Sequence, residues 1–364
     1  MSQVSPSPLQ QMLFARIQQA GPLTFAEYMR MALYEPGYGY YVTGAAKMGW
    51  SGDYFTSTDI SALFANCLSR QLVQFWEKLK RPAPFLVLEQ GAGRGDLAGG
   101  VRAWAMREAP AFAEALLYHT EDIRSGQDSL HPAEQARADV LLSNELIDAL
   151  PVHLVEVRGG QLYEVFVTEQ EGRLRELLAE PSSAQVASYL DQARIPWQTF
   201  PDGWRAEINL AAEDWLRQAT GLLRDHGFLL AIDYGEKARD LYIRDRRRGT
   251  LLCYYHHQTN ERPLLFPGEQ DITAHVNFSA LIDLARARGL RVHKYRTQRQ
   301  WLEDCGLSAE LERRRSEDFA LADSDRASNQ GQVALLGWYN LRQRAAILSD
   351  PGGMGNFKVL ILRR

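Results

Sequence analysis

The chain has 364 residues, of which 45% are hydrophobic, 24% charged and 10% aromatic, the profile of a globular protein long enough to bury its own core. Lys and Arg number 41 against 45 Asp and Glu, and the resulting formal charge of −4 argues against a general nucleic-acid binder working through a net basic surface. Cys67, Cys253 and Cys305 lie far apart with no CxxC, so neither a disulfide framework nor a metal site is expected and a reducing compartment fits. No apolar run approaches the ~20 residues of a membrane span, and the N-terminus lacks the basic and apolar regions of a secretory signal. The expected location is cytoplasmic.

In chain order, Leu13, Phe14 and Ile17, then Phe25, Tyr28 and Met29, recur at helical spacing. Pro36, Gly37 and Gly39 break the Tyr34–Tyr41 segment into a Tyr-rich loop. A second helix is predicted from Thr58 or Asp59 through Leu63, Leu68, Leu72 and Phe75. From Phe85 the pattern changes to strand, glycine loop, helix. Phe85–Leu88 reads as a strand buried on both faces, and Leu97, Val101 and Trp104 mark the helix that follows. Leu116–Thr120 and Asp139–Asn144 read as further strands. Such alternation favours a parallel sheet covered by helices.

Val152–Val167 alternates around Gly159-Gly160 and reads as an inserted hairpin. A helix containing Ala212, Trp215, Leu216 and Leu223 leads into a buried strand, Gly227–Asp233. Phe278–Arg288 is expected as helix and Leu290–Tyr295 as strand. A charged stretch around Glu310–Arg344 reads as a helical insertion, before a last strand at Asn356–Leu362.

Chemistry is best signalled by Glu89-x-Gly91-x-Gly93-x-Gly95 directly after a buried strand. Glycines let the backbone turn sharply and approach a ligand closely. A dinucleotide loop would be GxGxxG, with its third glycine where this chain has Asp96. The shorter spacing, with an acid before it, better suits S-adenosylmethionine than a pyrophosphate cofactor. Glu121 and Asp122 compete as the acid that holds ribose hydroxyls. Asn144, Glu145 and Asp148 follow a strand end and should face the cofactor, where they could orient a nitrogen nucleophile. An equally weighted reading makes Asn144 a helix cap and Glu145 its dipole partner. Asp233 and Tyr234 end the next strand on the same edge and are pocket candidates. His256 and His257 form a poor chelate, because neighbours in a strand face opposite ways. His257 is a candidate pocket group, with ordinary hydrogen bonding at least as good a reading.

These residues resemble the MidA-like family of S-adenosylmethionine-dependent methyltransferases, related to the mitochondrial complex I assembly-factor arginine methyltransferase. The resemblance runs through Gly21–Met29, Tyr34-x-Pro-Gly-Tyr-Gly-Tyr-Tyr41, Gly52–Ser57, the glycine loop and Asn144-Glu-x-x-Asp-x-x-Pro151. It continues through Asp233-Tyr-Gly235, Arg248–Leu251, Pro267–Phe278 and Phe357–Leu360. It implies an α/β class I methyltransferase: a Rossmann-like, mostly parallel seven-stranded sheet with an N-terminal helical lid over residues 1–82. The catalytic domain would span 83–364, with insertions at about 152–200 and 298–350. It further implies S-adenosylmethionine contacts from Glu89, Gly91, Gly93, Gly95 and Glu121, with Asp53, Thr56 and Ser57 near the cofactor. Catalysis falls to Asn144, Glu145 and Asp148, and the substrate pocket to Tyr38, Asp233, Tyr234 and His257.

In the mitochondrial relative the substrate is an arginine side chain of a respiratory complex I subunit, so a protein partner is implied here, as monomer or homodimer. Competing readings are a methyltransferase for a small molecule or another protein residue, and an assembly module without catalysis. A nicotinamide oxidoreductase is a further reading, against which the glycine spacing counts. The chain departs from the family pattern at Gln90 (commonly apolar), Asn277 (commonly Asp) and Glu236 (commonly His). The segment between Glu121 and Asn144 is also short.

Overall fold

The computed structural model describes residues 6–43, 62–122, 137–256, 258–324 and 329–364. Two capped helices open the chain: α1 (Pro8–Ala20) and, after the two-residue strand β1 (Leu23–Thr24), α2 (Phe25–Tyr34). At each start a hydroxyl accepts an orphan amide, Ser7 from Gln10 N–H and Thr24 from Glu27 N–H, while the Gln10 and Glu27 side chains reciprocate. The next helix, α3 (Ala62–Lys78), leads to β2 (Phe85–Gln90). Its expected start at Thr58 or Asp59 lies outside the described residues. Then come α4 (Asp96–Glu108), α5 (Pro110–Ala115), β3 (Leu116–Glu121) and β4 (Ala138–Asn144).

An insertion follows: β5 (His153–Arg158), β6 (Gln161–Gln170), β7 (Arg173–Ala179), α6 (Ala184–Gln192) and β8 (Arg205–Ile208). The chain returns through α7 (Leu210–Gly221) and β9 (Leu223–Asp233) to β10 (Gly235–Glu236) and α8 (Ala238–Leu241). Leu223, expected in the helix, starts the strand instead, because its side chain is buried beneath the sheet face that α7 covers. Short strands β11 (Leu252–Tyr255), β12 (Gln258–Asn260), β13 (Asp271–Thr273) and β14 (Val276–Asn277) precede α9 (Phe278–Ala287) and β15 (Arg291–Thr297). The expected helical insertion is present as α10 (Gln298–Asp304), α11 (Leu307–Ser324) and α12 (Gln330–Ser349), before β16 (Lys358–Arg363) closes the chain.

The central sheet runs β15-β16-β9-β4-β2-β3. β3, β2, β4 and β9 pair in parallel, and β16 lies antiparallel to both of its neighbours. Six strands are present among the described residues where seven were expected. Side chains alternate between faces: Val140, Leu142, Phe228 and Leu230 pack under α3 and α4, whereas Leu141, Leu229 and Ala231 pack against α7 and α9.

The expected hairpin is real, with Gly159 and Gly160 both at positive φ and Arg158 facing Gln161. It belongs to a larger antiparallel sheet, β1-β6-β5-β8 with β7 on β6. Leu23 pairs with Val167, so the N-terminal segment and the insertion share one sheet. They also share a core: Leu13, Phe25, Tyr28 and Met29 pack with Leu154, Val165, Val167 and Ile272.

Candidate active site

Strand order reverses direction around β2, which lies between β3 and β4. In such sheets ligands bind beyond the carboxyl ends of the strands at that point. Three chain segments meet there: the glycine loop after β2, residues 144–148 after β4, and residues 233–234 after β9.

Gly91, Gly93 and Gly95 take positive φ of 75, 56 and 77°. At Gly91 a Cβ would stand 2.9 Å from Leu146 Cδ1, so only glycine brings the loop this close to the end of β4. The loop hangs on the end of β3, where Glu121 C=O accepts Gly91 N–H at 2.9 Å and Ala92 N–H at 3.2 Å. Glu121 and Asp122, the two candidates for the ribose acid, make different contacts within the protein. Asp122 Oδ2 accepts the Gly93 N–H at 2.7 Å. Glu121 Oε2 accepts Gln90 Nε2 at 3.0 Å, and Gln90 Oε1 accepts Trp215 Nε1 at 3.0 Å. The unusual Gln90 therefore braces the Glu121 carboxylate. Burial pushes the Glu89 carboxyl up to about 7, against the Tyr118 hydroxyl that donates to Glu89 Oε2 at 3.0 Å.

At the end of β4, Glu145 has φ 51°, strained for a residue with a side chain, and its N–H donates to Ile232 C=O at 2.9 Å. Asn144 Nδ2 reaches Glu145 Oε1 at 3.5 Å. Asp148 is buried, with Oδ2 accepting from the Tyr234 hydroxyl. Burial raises its carboxyl to about 6, against that hydrogen bond. Ser143 Oγ, Asn144 Oδ1 and Asp148 Oδ1 are buried without a protein partner. Buried polar atoms are rarely left so.

Asp233 differs from its expected pocket role. It is fully buried, and its carboxylate accepts N–H groups of Ile147 (2.9 Å), Asp148 (3.3 Å) and Tyr234 (2.9 Å). It ties the ends of β4 and β9 together. Burial and the neighbouring Asp148 and Glu145 charges hold its carboxyl well above the usual range.

Tyr38 is 43% exposed and does not join this cluster through any described contact. Its neighbours do. The Tyr34 hydroxyl donates to Ala149 C=O at 2.8 Å and the Tyr41 hydroxyl to Asp271 Oδ1 at 2.8 Å, with the two rings stacked at 5.5 Å. Tyr254 of β11 completes the wall, its proton held by burial and by Asp148, Asp271 and Glu145. Asp53, Thr56, Ser57 and His257 lie outside the described residues. Tyr34 and Tyr41, Tyr254, and Asp271 come from three separate stretches of chain; the tyrosine-rich loop and the Pro267–Phe278 motif signalled three of them, and nothing signalled Tyr254.

This edge fits the expected S-adenosylmethionine. It offers a glycine loop open to close approach, carboxylates at Glu89 and Glu121, and unsatisfied acceptors at Ser143 and Asn144. Among the described residues no group of three or more His, Cys, Asp or Glu side chains could hold a metal, and no helix is long and apolar enough to cross a membrane.

Comparisons with known proteins agree. The family model for S-adenosyl-L-methionine-dependent methyltransferases matches residues 67–129 and 126–296. The mitochondrial protein arginine methyltransferase NDUFAF7 homolog of Drosophila melanogaster is 28% identical over 328 residues, covering 77% of this chain and 70% of that protein. Its Homo sapiens counterpart is 26% identical over 349 residues, covering 84% and 75%. A COG1565 superfamily structure from Burkholderia thailandensis, bound to S-adenosyl-homocysteine, superposes with a TM-score of 0.80 at 27% identity, covering 100% of this chain and 95% of that one. With its glycine loop, its acidic strand ends and these relatives in accord, the chain belongs to the MidA-like family of S-adenosylmethionine-dependent methyltransferases.

Proposed function

We propose that the acceptor is an arginine side chain of a protein, methylated at a guanidinium nitrogen. One observation carries this reading: Asn144 Oδ1 and Asp148 Oδ1, both buried and without partners, sit with Glu145 on one strand end. An array of acceptors and carboxylates suits a planar group that offers several N–H donors and one positive charge. The names of the mitochondrial relatives support the same chemistry, and we take a complex I-type subunit as the partner.

Bound there, S-adenosylmethionine would supply an electrophilic methyl group on a positively charged sulfur, with the neutral thioether S-adenosylhomocysteine as the leaving group. Glu145 and Asp148 hold the guanidinium, localise its charge away from the attacking nitrogen and take the proton released. Asn144 aligns one N–H. Tyr34, Tyr41 and Tyr254 wall the acids from bulk water, which strengthens each electrostatic contact. We assign cofactor contacts to Glu89, Gly91, Gly93, Gly95 and Glu121, with Asp53, Thr56 and Ser57 alongside. The N-terminal segment, residues 1–82, serves as the lid.

Arginine-containing protein fractions incubated with enzyme and methyl-labelled S-adenosylmethionine should take label on arginine. Glu145→Gln and Asp148→Asn should each lose about 10²-fold or more in turnover with cofactor affinity retained. Normal turnover in both variants would overturn the assignment. Label confined to small molecules would instead favour an enclosed site for a small acceptor, the second reading, which the tyrosine wall over the acids also suits.

A further inference from the structure

Asp148 has two carboxylate oxygens in unlike surroundings. Oδ2 accepts from the Tyr234 hydroxyl, whereas Oδ1 is buried with no protein partner. The backbone cannot exchange these roles. Ile147 and Asp148 N–H groups are fixed on Asp233, and Ala274 N–H donates to Asp148 C=O at 3.0 Å. The phenol is fixed too. Its ring stands edge-on to His275 and tilted against Phe357, each with centroids 5.3 Å apart, and Tyr234 C=O accepts Val276 N–H at 3.0 Å.

We propose that Tyr234 is a positioning residue, whose hydroxyl turns Asp148 Oδ1 toward the acceptor nitrogen and keeps that carboxylate ionised at working pH. This goes beyond the assignment of Asp148 as proton acceptor and rests on it. After the phenol, which is the largest favourable contact, only the backbone N–H groups of Ala149 and Asp148 favour the anion. The neighbouring Asp233 and Asp148 each disfavour the other's charge, and Tyr254 of β11 lies close enough for the Asp148 charge to hold the Tyr254 proton in place. His275, behind the phenol, is pushed down to about 4 by burial, by Arg246 and, to a lesser extent, by Lys358, and so brings no compensating positive charge. A hydroxyl that stabilises the ionised form lowers a carboxyl's proton affinity. Burial drives it up, opposed first by the phenol and then by the backbone N–H groups, so removing the phenol leaves burial less opposed.

The test is the pH dependence of kcat/KM for Tyr234→Phe. The acid limb should move up by about one pH unit, the worth of one hydrogen bond to a charged group. The deficit against wild type should be about fivefold near pH 6 and shrink toward pH 8.5. Replacing Tyr234 by 3-fluorotyrosine, a stronger donor of nearly the same size, should move the limb down. In the enzyme without cofactor, carbon-13 NMR of carboxyl-labelled aspartate, with the Asp148 signal identified by its loss in Asp148→Asn, should show the same two opposite shifts. A uniform loss of kcat at all pH values, or an unmoved Asp148 titration in both variants, would overturn the proposal while leaving Asp148 in place. Normal turnover in Asp148→Asn would overturn both.

Discussion

Glu89 is a buried carboxyl that we assign to the cofactor. Burial lifts its pKa to about 7, so it is half protonated near neutral pH and fully charged only above. A cationic cofactor prefers the anion, so S-adenosylmethionine affinity should weaken as pH falls below 7, approaching about tenfold per unit. Calorimetry across pH 5.5–8.5 checks this, and Glu89→Gln should flatten the dependence. Gln90 makes a second case. It bridges Trp215 Nε1 and Glu121 Oε2, and an apolar residue there would satisfy neither. Gln90→Leu should raise the S-adenosylmethionine Kd about tenfold by leaving a buried N–H unpaired and freeing Glu121, an effect of about 1–3 kcal/mol. An unchanged Kd would show that Glu121 needs no brace.

At the scale of elements, another departure from the family pattern becomes a structural choice. Asn277 caps α9, its Oδ1 accepting Ser279 and Ala280 N–H groups at 3.1 and 3.3 Å. Its Nδ2 donates to the buried Tyr189 hydroxyl at 3.1 Å, which an aspartate could not do. Asn277→Ala should cost about 1–2 kcal/mol in urea unfolding through the lost cap. Asn277→Asp should keep the cap and perturb only the Tyr189 side. Glu236, at another departure, accepts from the buried Lys358 Nζ at 2.9 Å, joining the end of β10 to the start of β16. Both positions face partners supplied by elements remote in the chain, which explains why sequence showed the substitutions without their reason.

Across the whole molecule, the N-terminal helices and the insertion after β4 stand or fall together. Leu154 packs in the same core as Leu13, Tyr28 and Met29, and β1 extends the insertion's sheet. Leu154→Ala should therefore cost about 2–5 kcal/mol and quicken amide exchange in α2 as well as in β5 and β6. Exchange confined to the insertion would show two independent units. This shared core also carries Tyr34 and Tyr41 onto the acidic edge, so its packing bears on the site some distance away.

The parallel strands, the Gly159-Gly160 hairpin and the glycine loop were legible in the sequence, because hydrophobic runs, period-two alternation and glycine spacing are local properties. Asn144, Glu145 and Asp148 were legible as a group for the same reason: they follow one strand end within five residues. What no local pattern holds is convergence. Asp271, Tyr254, Tyr34 and Tyr41 come from three separate stretches of chain, and the opposite surroundings of the two Asp148 oxygens depend on a phenol 86 residues away. Asp233 looked like a pocket wall from its place on the strand edge, yet the turn at Ile147–Asp148 folds back and takes its carboxylate for backbone amides. The sequence by itself determined the α/β class, the glycine-rich turn after the first strand of the central sheet and the family. Only the tertiary structure decided which acids are spent on backbone amides and which keep an unpartnered oxygen, because burial and hydrogen-bond partnership are properties of neighbours in space.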